Sequence, residues 1–594
     1  MENKDLIKGG EFLVREVNYK DIFIPEEFNE EQNMIAQTCS DFVEASVIPN
    51  LDKIDKHEPG LIRNLLGQSG ELGLLGISIP EYLGGFEQSY LTTMKANEAI
   101  GSAASFSVAF MAHTGIGTLP ILYYGNEEQK AKYIPSLATG EKAAAYCLTE
   151  PDAGSDANAG RTRAVLSEDG THYILNGQKM WITNGGFADI LTVFAKIGDD
   201  RILSAFIVEK AWAGVEIGAE ENKMGIKGSS TTQIFFNDVK VPVENLLGKR
   251  GEGFRIAINI LHIGRIKLGA TVIGACRRTI NNSVNYANER KQFGSLIANY
   301  GAIKFKLAEQ VIRTWIAESA VYRATKDIEN QIDKYLAEGL EKGKAVIQAN
   351  ADFQVECAMM KVLGSEALDY VVDEGVQIYG GMGFSAEAPV DRAYRDSRIN
   401  RIFEGTNEIN RLWAGDNAIK QGMKGQYNLG DKVAEVMDVL PVLPAKPDNI
   451  SDYYEYKQNL VVRLKKVALL VIGAASDKFQ KKLSSEQEII MNIADLLIGA
   501  YSLEAGLARL RKLEDLKGAA AISLYKDILD VYAYDTAHKI SKIGHDAIHS
   551  IDEDGAFPEL INGLKYFTDV KAVNVKDARR RIADKLIDDN KYKF

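Results

Sequence analysis

The chain has 594 residues, 46% of them hydrophobic and 26% charged, an ordinary globular composition that excludes a disordered or fibrous chain. Lys and Arg number 70 against 82 Asp and Glu, a net charge of −12, so a basic nucleic-acid footprint is disfavoured while a local patch for an anionic ligand is not. The length suggests about three to five domains or subdomains. Cys39, Cys147, Cys276 and Cys357 share no CxxC spacing, so neither a metal site nor a disulfide framework is expected. The N-terminal stretch lacks the apolar core of a secretory signal, and the apolar run from Val467 to Ala475 is too short to span a bilayer. The expected location is cytoplasmic.

Residues 30–140 read as helices. Apolar positions recur at three-to-four spacing up to Pro49, and the stretch from Tyr90 to Tyr124, rich in Ala, Met and Leu, is expected to be buried. From about 145 to 250 the period changes to that of strands. Asn176-Gly177 predicts a hairpin turn, and four further β-rich runs follow, which together read as a compact antiparallel unit. Residues 251–420 return to helical period. Pro441, Pro444 and Pro447 mark a linker, and 450–594 is again helical. The predicted class is α+β, with a helical domain over 1–144, a middle β-domain over 145–250, a helix bundle over 251–420, a linker over 421–449 and an additional helical domain over 450–594.

Five segments carry residues suited to chemistry. Tyr146 to Asp156 offers the Thr149 and Ser155 hydroxyls beside Gly154, where backbone can approach a ligand closely. In Met180 to Gly186, Trp181 next to Thr183 can stack on a flat cofactor while the hydroxyl satisfies ring heteroatoms. Arg290 and Lys291 end a long helix with two cations suited to phosphate. Gly375 to Phe384 is a glycine-rich turn, equally readable as a helix C-cap. Glu404, in an apolar flank before Gly405, can be desolvated into a base. Each segment alone also fits a plain structural role: a polar turn, a core Trp, helix-dipole compensation or a solvated helix start.

Taken together, YCLTEPDAGSD, NGQKMWITNGG, MGIKGSS with FNDVKVPVENLLG, ERKQFG, VQIYGGMGF and RIFEGTNEI, in that order, resemble the acyl-CoA dehydrogenase family over about residues 30–420. HIGR at 262–265 and the helical tail resemble its very-long-chain branch, which carries an extra C-terminal domain. The resemblance implies an N-terminal helical domain, a β-domain and a four-helix bundle enclosing FAD. It implies flavin contacts from Tyr146, Leu148, Thr149, Trp181, Ile182 and Thr183. Arg290, Gln292 and Phe293, with Gln377, Ile378, Gly380 and Gly381, would reach the FAD of a neighbouring subunit. Thr406, Asn407 and Glu408 would close over the cofactor. Ser155, His262, Ile263, Gly264, Arg265, Phe403 and Gly405 would face the acyl-CoA, and Glu404 would be the catalytic base. Some relatives place their base just before the arginine equivalent to Arg265; Gly264 cannot serve as one.

The implied activity is α,β-dehydrogenation of a fatty acyl-CoA in β-oxidation, with electrons passed to an electron-transferring flavoprotein by a homo-oligomer, a dimer being favoured. Long acyl chains are expected, with the helix from Phe106 to His113 at the base of the pocket. An acyl-CoA oxidase and a scaffold built on the same fold are the alternatives. The segment near residues 327–350 looks longer than the family's usual helix connection. The tail, with Arg579, Arg580 and Arg581 as a basic cluster, is expected either to pack on the dimer or to touch a membrane peripherally.

Overall fold

A computed structural model describes residues 6–443 and 450–594. The N-terminal domain starts where the sequence supplies a cap. Asn29 accepts the Gln32 backbone N–H, the Gln32 side chain returns to the Asn29 N–H, and helix Glu30–Phe42 follows. Pro49 falls in a short 3-10 turn, Ile48–Asn50, which leads directly into helix Leu51–Asp55, so the helical stretch expected to end at Pro49 runs on to Asp55. Helices Tyr90–Ile100, Ser105–Ala112 and Leu119–Tyr124 bury most of their side chains.

The middle domain has eight strands: β1 (Ala144–Cys147), β2 (Arg163–Leu166), β3 (His172–Thr183), β4 (Ile190–Ile197), β5 (Ser204–Glu209), β6 (Val215–Glu220), β7 (Thr231–Pro242) and β8 (Leu246–Leu247). Their order is β6-β7-β3-β2-β4-β5-β8, with β1 beside β4. Most pairs are antiparallel, but β1 and β2 each pair with β4 in parallel, so the sheet is mixed. The expected hairpin at Asn176-Gly177 does not form. Both residues lie inside the single strand β3, at a register shift against β7. Gly177 is needed there because a Cβ would sit 2.5 Å from Thr162 Oγ1, and the Asn176 side chain bonds Asp238 across the sheet.

The bundle consists of helices Gly253–Glu289, Gly301–Ala337, Gln354–Tyr379 and Asn407–Met423. The extra length near 327–350 is an added helix, Lys342–Asp352, set between the second and third of these. The expected linker is not extended chain. The last bundle helix runs to Met423, and Leu429–Val439 forms another helix whose Leu429 and Val436 are buried. Its apolar residues recur at i, i+4, i+7 and i+8, a helical face that the prolines after it obscured. Pro444 and Pro447 lie outside the described residues.

The tail is not a separate appendage. Helix Gln487–Lys517 packs on both Gly301–Ala337 and Asn407–Met423. Buried Arg509 donates to Glu318 of the bundle (2.9 Å) and to Glu26 of the N-terminal extension (2.7 Å). Phe12 stacks edge-on against Tyr501, and the Gly10 N–H donates to Glu356 Oε1 at 2.7 Å. Helices Ser105–Tyr124, Gly253–Glu289 and Gln487–Lys517 are long and apolar enough to cross a membrane by length and composition. Yet 78–83% of each apolar window is buried inside the molecule, so that surface is already covered. The basic cluster is largely neutralised: Arg579 pairs with Glu309 and Asp535, and Arg581 with Asp527.

Candidate active site

The chain enters the site through a left-handed turn. Glu404 has φ 58° and Gly405 φ 79°. Glycine takes this conformation freely, whereas glutamate does so at a cost of order 1–3 kcal/mol, so the surroundings must hold it. They do so through backbone oxygens. Arg265 Nε donates to the Glu404 carbonyl at 3.3 Å, and Lys361 Nζ to the Gly405 carbonyl at 2.8 Å. Asn410 Nδ2 donates to the carbonyls of Glu404, Gly405 and Thr406. Thr406 then caps the last bundle helix by accepting the Ile409 N–H.

The Glu404 carboxylate points into the protein. Solvent reaches part of the residue, but Oε2 is buried with no hydrogen-bond partner. It lies against Gly264 of helix Gly253–Glu289, where a Cβ would come 2.7 Å from Oε2 and 2.9 Å from Cδ. Burial raises the Glu404 pKa to about 7, against the pull of Arg265, Lys361 and Lys267. Burial also lowers Lys361 and Lys267 to about 7 each and Arg265 to about 10, with the Glu404 charge opposing the shift. A carboxyl poised near neutrality, with one oxygen buried and unpartnered, is suited to accept a proton from a bound molecule.

A small cavity of about 50 Å³ opens at this carboxylate. Its walls include Met111, Ala112, Ile116, Ile263, Phe403 and Thr183. The face of helix Ser105–Ala112 is thus decided. Val108, Met111 and Ala112 line the cavity, while Phe106, Ala109 and Phe110 pack with Phe42 in the N-terminal core. A π-turn, His113–Gly117, continues the wall and adds Gly115 and Ile116.

Thr183 brings the β-domain to the cavity. Two residues earlier on β3, Trp181 is 53% exposed at φ 60°, in an irregular stretch where the register shifts between Lys179 and Ile182. The Met180 N–H donates to the Thr149 carbonyl at 2.9 Å, which joins the Tyr146–Thr149 segment to this edge. Tyr146 is buried edge-on against Phe194, and burial followed by the Glu404 charge holds its phenol well above the ordinary range. A half-exposed indole beside threonine hydroxyls and a buried apolar wall suits a fused planar ring. The loop that follows is fixed by a buried ion pair, Lys179 Nζ to Glu150 Oε1 at 2.6 Å; Lys179 also donates to the Leu148 carbonyl.

Family models agree with this layout. Acyl-CoA dehydrogenase N-terminal, middle and C-terminal domains match residues 29–141, 145–239 and 251–419, and a further acyl-CoA dehydrogenase C-terminal domain matches 463–565. The chain belongs to the acyl-CoA dehydrogenase family. It is 43% identical to a probable acyl-CoA dehydrogenase of Bacillus subtilis, over 99% of both chains. It is 37% identical to the mitochondrial very long-chain specific acyl-CoA dehydrogenase of Rattus norvegicus, covering 77% of this chain and 70% of that one. Among solved structures, an acyl-CoA dehydrogenase complexed with FAD from Bacillus anthracis superposes with TM-score 0.95 at 43% identity, covering 99% of this chain and 100% of that one. The acyl-CoA dehydrogenases are FAD-dependent oxidoreductases.

Within the acyl-CoA dehydrogenase site, the sequence-predicted residues fall into three groups. Glu404, Phe403, Ile263, Gly264 and Thr183 share the cavity. Tyr146, Leu148, Thr149, Trp181 and Ile182 lie along the β-domain edge; Ile182 is only 2% exposed, so its side chain belongs to the β core. Ser155 is exposed in the following turn.

Arg290, Gln292 and Phe293 form a third, separate group with Gln377, Gly380 and Gly381, all of them exposed. The two segments are joined where Tyr286 stacks on Tyr379 at 4.0 Å, and Ile378 is buried beneath them. Phe293 is 96% exposed at the tip of a two-residue turn with Gly294.

Three expectations change. Arg265, expected to face the acyl-CoA, is buried and does not line the cavity; its Nε holds the Glu404 carbonyl instead. His262 does not line the cavity: it is buried beside Arg265 Nη1 and Trp413, and burial with the Arg265 charge holds its pKa well below the ordinary value. Asn407 is occupied by Lys361, Ser365 and Glu366, so it braces the turn rather than offering a free amide. Glu408 is exposed at the start of the helix. Sequence reasoning passed over Lys267, Lys361 and the Glu150–Lys179 pair. For the lysines, a cation inside an otherwise apolar helix, as in HIGRIKLGA, was the available signal.

Proposed function

We propose that this acyl-CoA dehydrogenase oxidises a fatty acyl-CoA to the trans-2-enoyl-CoA in β-oxidation, with Glu404 as the base. The observation that carries the reading is the Glu404 carboxylate, one oxygen of it buried without a partner, in the wall of a mainly apolar cavity. Trp181, Thr183, Thr149 and Tyr146 would hold FAD, which supplies hydride acceptance when bound. Phe403, Ile263 and Met111 would exclude water from the acyl chain, and the Glu404 backbone N–H would polarise a thioester carbonyl. The Glu404 carboxylate then removes the α-proton. Arg265 and Lys361 act as positioning residues, because they hold the carbonyls of the turn rather than its carboxylate.

A long acyl chain is favoured by the likeness to a very long-chain specific acyl-CoA dehydrogenase and by the small residues Ala112 and Gly115 in the cavity wall. A homodimer is favoured because Arg290, Gln292 and Phe293 stand exposed with Gln377 and Gly380, a surface with cationic and aromatic groups ready for a neighbour's cofactor. Electron transfer to an electron-transferring flavoprotein is favoured over oxygen by family membership. The buried free cysteines suit a reducing cytoplasm. The tail is read as a brace on its own bundle, since its arginines are paired. Anaerobic flavin bleaching over a chain-length series tests the reading. Bleaching with enoyl-CoA formation and a rise in kcat/KM with length supports it. Peroxide as the main aerobic product would favour an oxidase, and a colourless protein a scaffold.

A further inference from the structure

The turn from Arg290 to Tyr300 joins the end of helix Gly253–Glu289 to the start of helix Gly301–Ala337. Its tip, Arg290 to Gly294, is exposed, yet the turn has an internal shape. The Ile297 N–H donates to the Arg290 carbonyl at 2.8 Å, the Tyr300 hydroxyl donates to the Gln292 carbonyl at 2.8 Å, and Ile297 and Ala298 are buried beneath. These bonds lie within the turn. Where the tip stands depends on the two helix ends that carry it.

Both ends are held by the last helix of the chain, Val575–Asp589, and the residues after it. On the first side, Asn288 lies in the final turn of its helix. Its Nδ2 donates to the Ile587 carbonyl at 2.9 Å and to Asn590 Oδ1 at 2.8 Å. Ile587 is close to the end of Val575–Asp589, where a carbonyl has no partner one turn further along its own helix. Asn590 closes that helix in the left-handed region, φ 50°, which asparagine enters more readily than most residues. Beyond it, the Tyr592 N–H donates to Asn281 Oδ1 at 2.7 Å, and the Tyr592 ring is buried 5.5 Å from the Arg277 guanidinium. Asn281 and Asn288 are two helical turns apart, about 10 Å along one face of helix Gly253–Glu289. On the second side, Asp584 pairs with Lys304 in the first turn of helix Gly301–Ala337, and Arg579 Nε donates to Glu309 Oε1 at 2.7 Å. One helix thus spans both feet of the turn and leaves its tip exposed.

We propose that helix Val575–Asp589 and the residues after it are a positioning element for the cofactor. They hold the Arg290–Phe293 tip in place for the FAD of a neighbouring subunit, and Asn288 is the positioning residue through which they fix the helix end before Arg290. This rests on the reading that the exposed tip serves a neighbour's FAD. The test is FAD retention by the holoenzyme on dilution, read by flavin fluorescence, for the wild type, Asn288→Ala, Arg290→Ala and the double variant. Anaerobic flavin reduction with FAD in excess is followed alongside.

Asn288→Ala is expected to weaken FAD retention by roughly tenfold, the worth of about two hydrogen bonds. The reduction rate with FAD in excess should stay at the wild-type value, because the Glu404 turn is held by Arg265, Lys361 and Asn410 instead. Asn288→Asp keeps the shape of the side chain but has no donor when ionised, and is expected to act in the same direction. Since Asn288 acts through the tip, the losses from Asn288→Ala and Arg290→Ala are expected to overlap, so that the double variant falls well short of their product. Losses that multiply would show a general loosening of the fold and overturn the proposal. Wild-type retention in both Asn288 variants would overturn it as well. Wild-type retention in Arg290→Ala would reject the reading of the tip as a cofactor contact, and the positioning role with it.

Discussion

Gly264→Ala separates placement of the base from stability of the fold. Position 264 is inside helix Gly253–Glu289, where alanine is favoured over glycine by up to about 1 kcal/mol. The added methyl would meet Glu404 Oε2 at 2.7 Å, Cδ at 2.9 Å and Oε1 at 3.0 Å. Ordinary van der Waals contact begins near 3.4 Å, so the carboxylate oxygen at 2.7 Å must retreat by about 0.7 Å. It can do so because it is the free end of a flexible side chain, with no partner to lose at Oε2. The fold should therefore keep its thermal midpoint or gain slightly. The α-proton, by contrast, needs its base in near-attack geometry, where a displacement of about 1 Å costs on the order of 10²-fold. Stopped-flow bleaching of FAD-loaded Gly264→Ala by a saturated acyl-CoA should be slower by about that factor, with acyl-CoA affinity altered far less. Reduction at the wild-type rate would show that the carboxylate does not work from its seat against this helix. A large loss of stability would show that the contact is rigid packing.

Three further outcomes follow from the same geometry. Because burial raises the Glu404 pKa to about 7 and the base must be ionised, kcat/KM should be flat above that pH and fall as pH drops through about 7; a profile flat down to pH 5 would contradict this. Arg290→Ala, at an exposed site, should leave monomer stability unchanged but weaken FAD retention by the equivalent of about 1.5–3 kcal/mol, read by flavin fluorescence on dilution, and unchanged affinity would remove Arg290 from the cofactor. Lys179→Met strands Glu150 inside the β-domain and should cost about 3–5 kcal/mol, seen as a lower denaturation midpoint; an unmoved midpoint would mean that the pair does not hold the loop.

The base was legible because its determinants are contiguous: Phe403, Glu404, Gly405 and Thr406 supply the apolar flank, the acid, the left-handed turn and the cap within four residues. The β-domain edge was legible for the same reason. What the sequence hid depends on distant packing. Asn176-Gly177 carries the local signal of a turn, but Thr162 of a neighbouring segment fills the space beside Gly177, and the strand runs on through a bulge. Lys267 and Lys361 lie on different helices, and only their packing brings both to the Glu404 turn. The orientation of helix Ser105–Ala112 could not be read because nearly every residue in it is apolar or small, so periodicity marked no face. The tail's intimacy with the bundle rests on buried ion pairs such as Arg509–Glu318, between residues almost 200 positions apart.

The central claim, that Glu404 is the base, is tested most directly by the anaerobic reductive half-reaction of Glu404→Gln. The amide keeps the shape of the side chain and the backbone N–H of the turn but cannot take a proton. The variant should fold, hold FAD and bind acyl-CoA nearly as the wild type does, yet bleach the flavin slower by at least about 10²–10⁴-fold. Bleaching at close to the wild-type rate would contradict the account and move the base to another carboxylate, with exposed Glu408 the nearest in sequence.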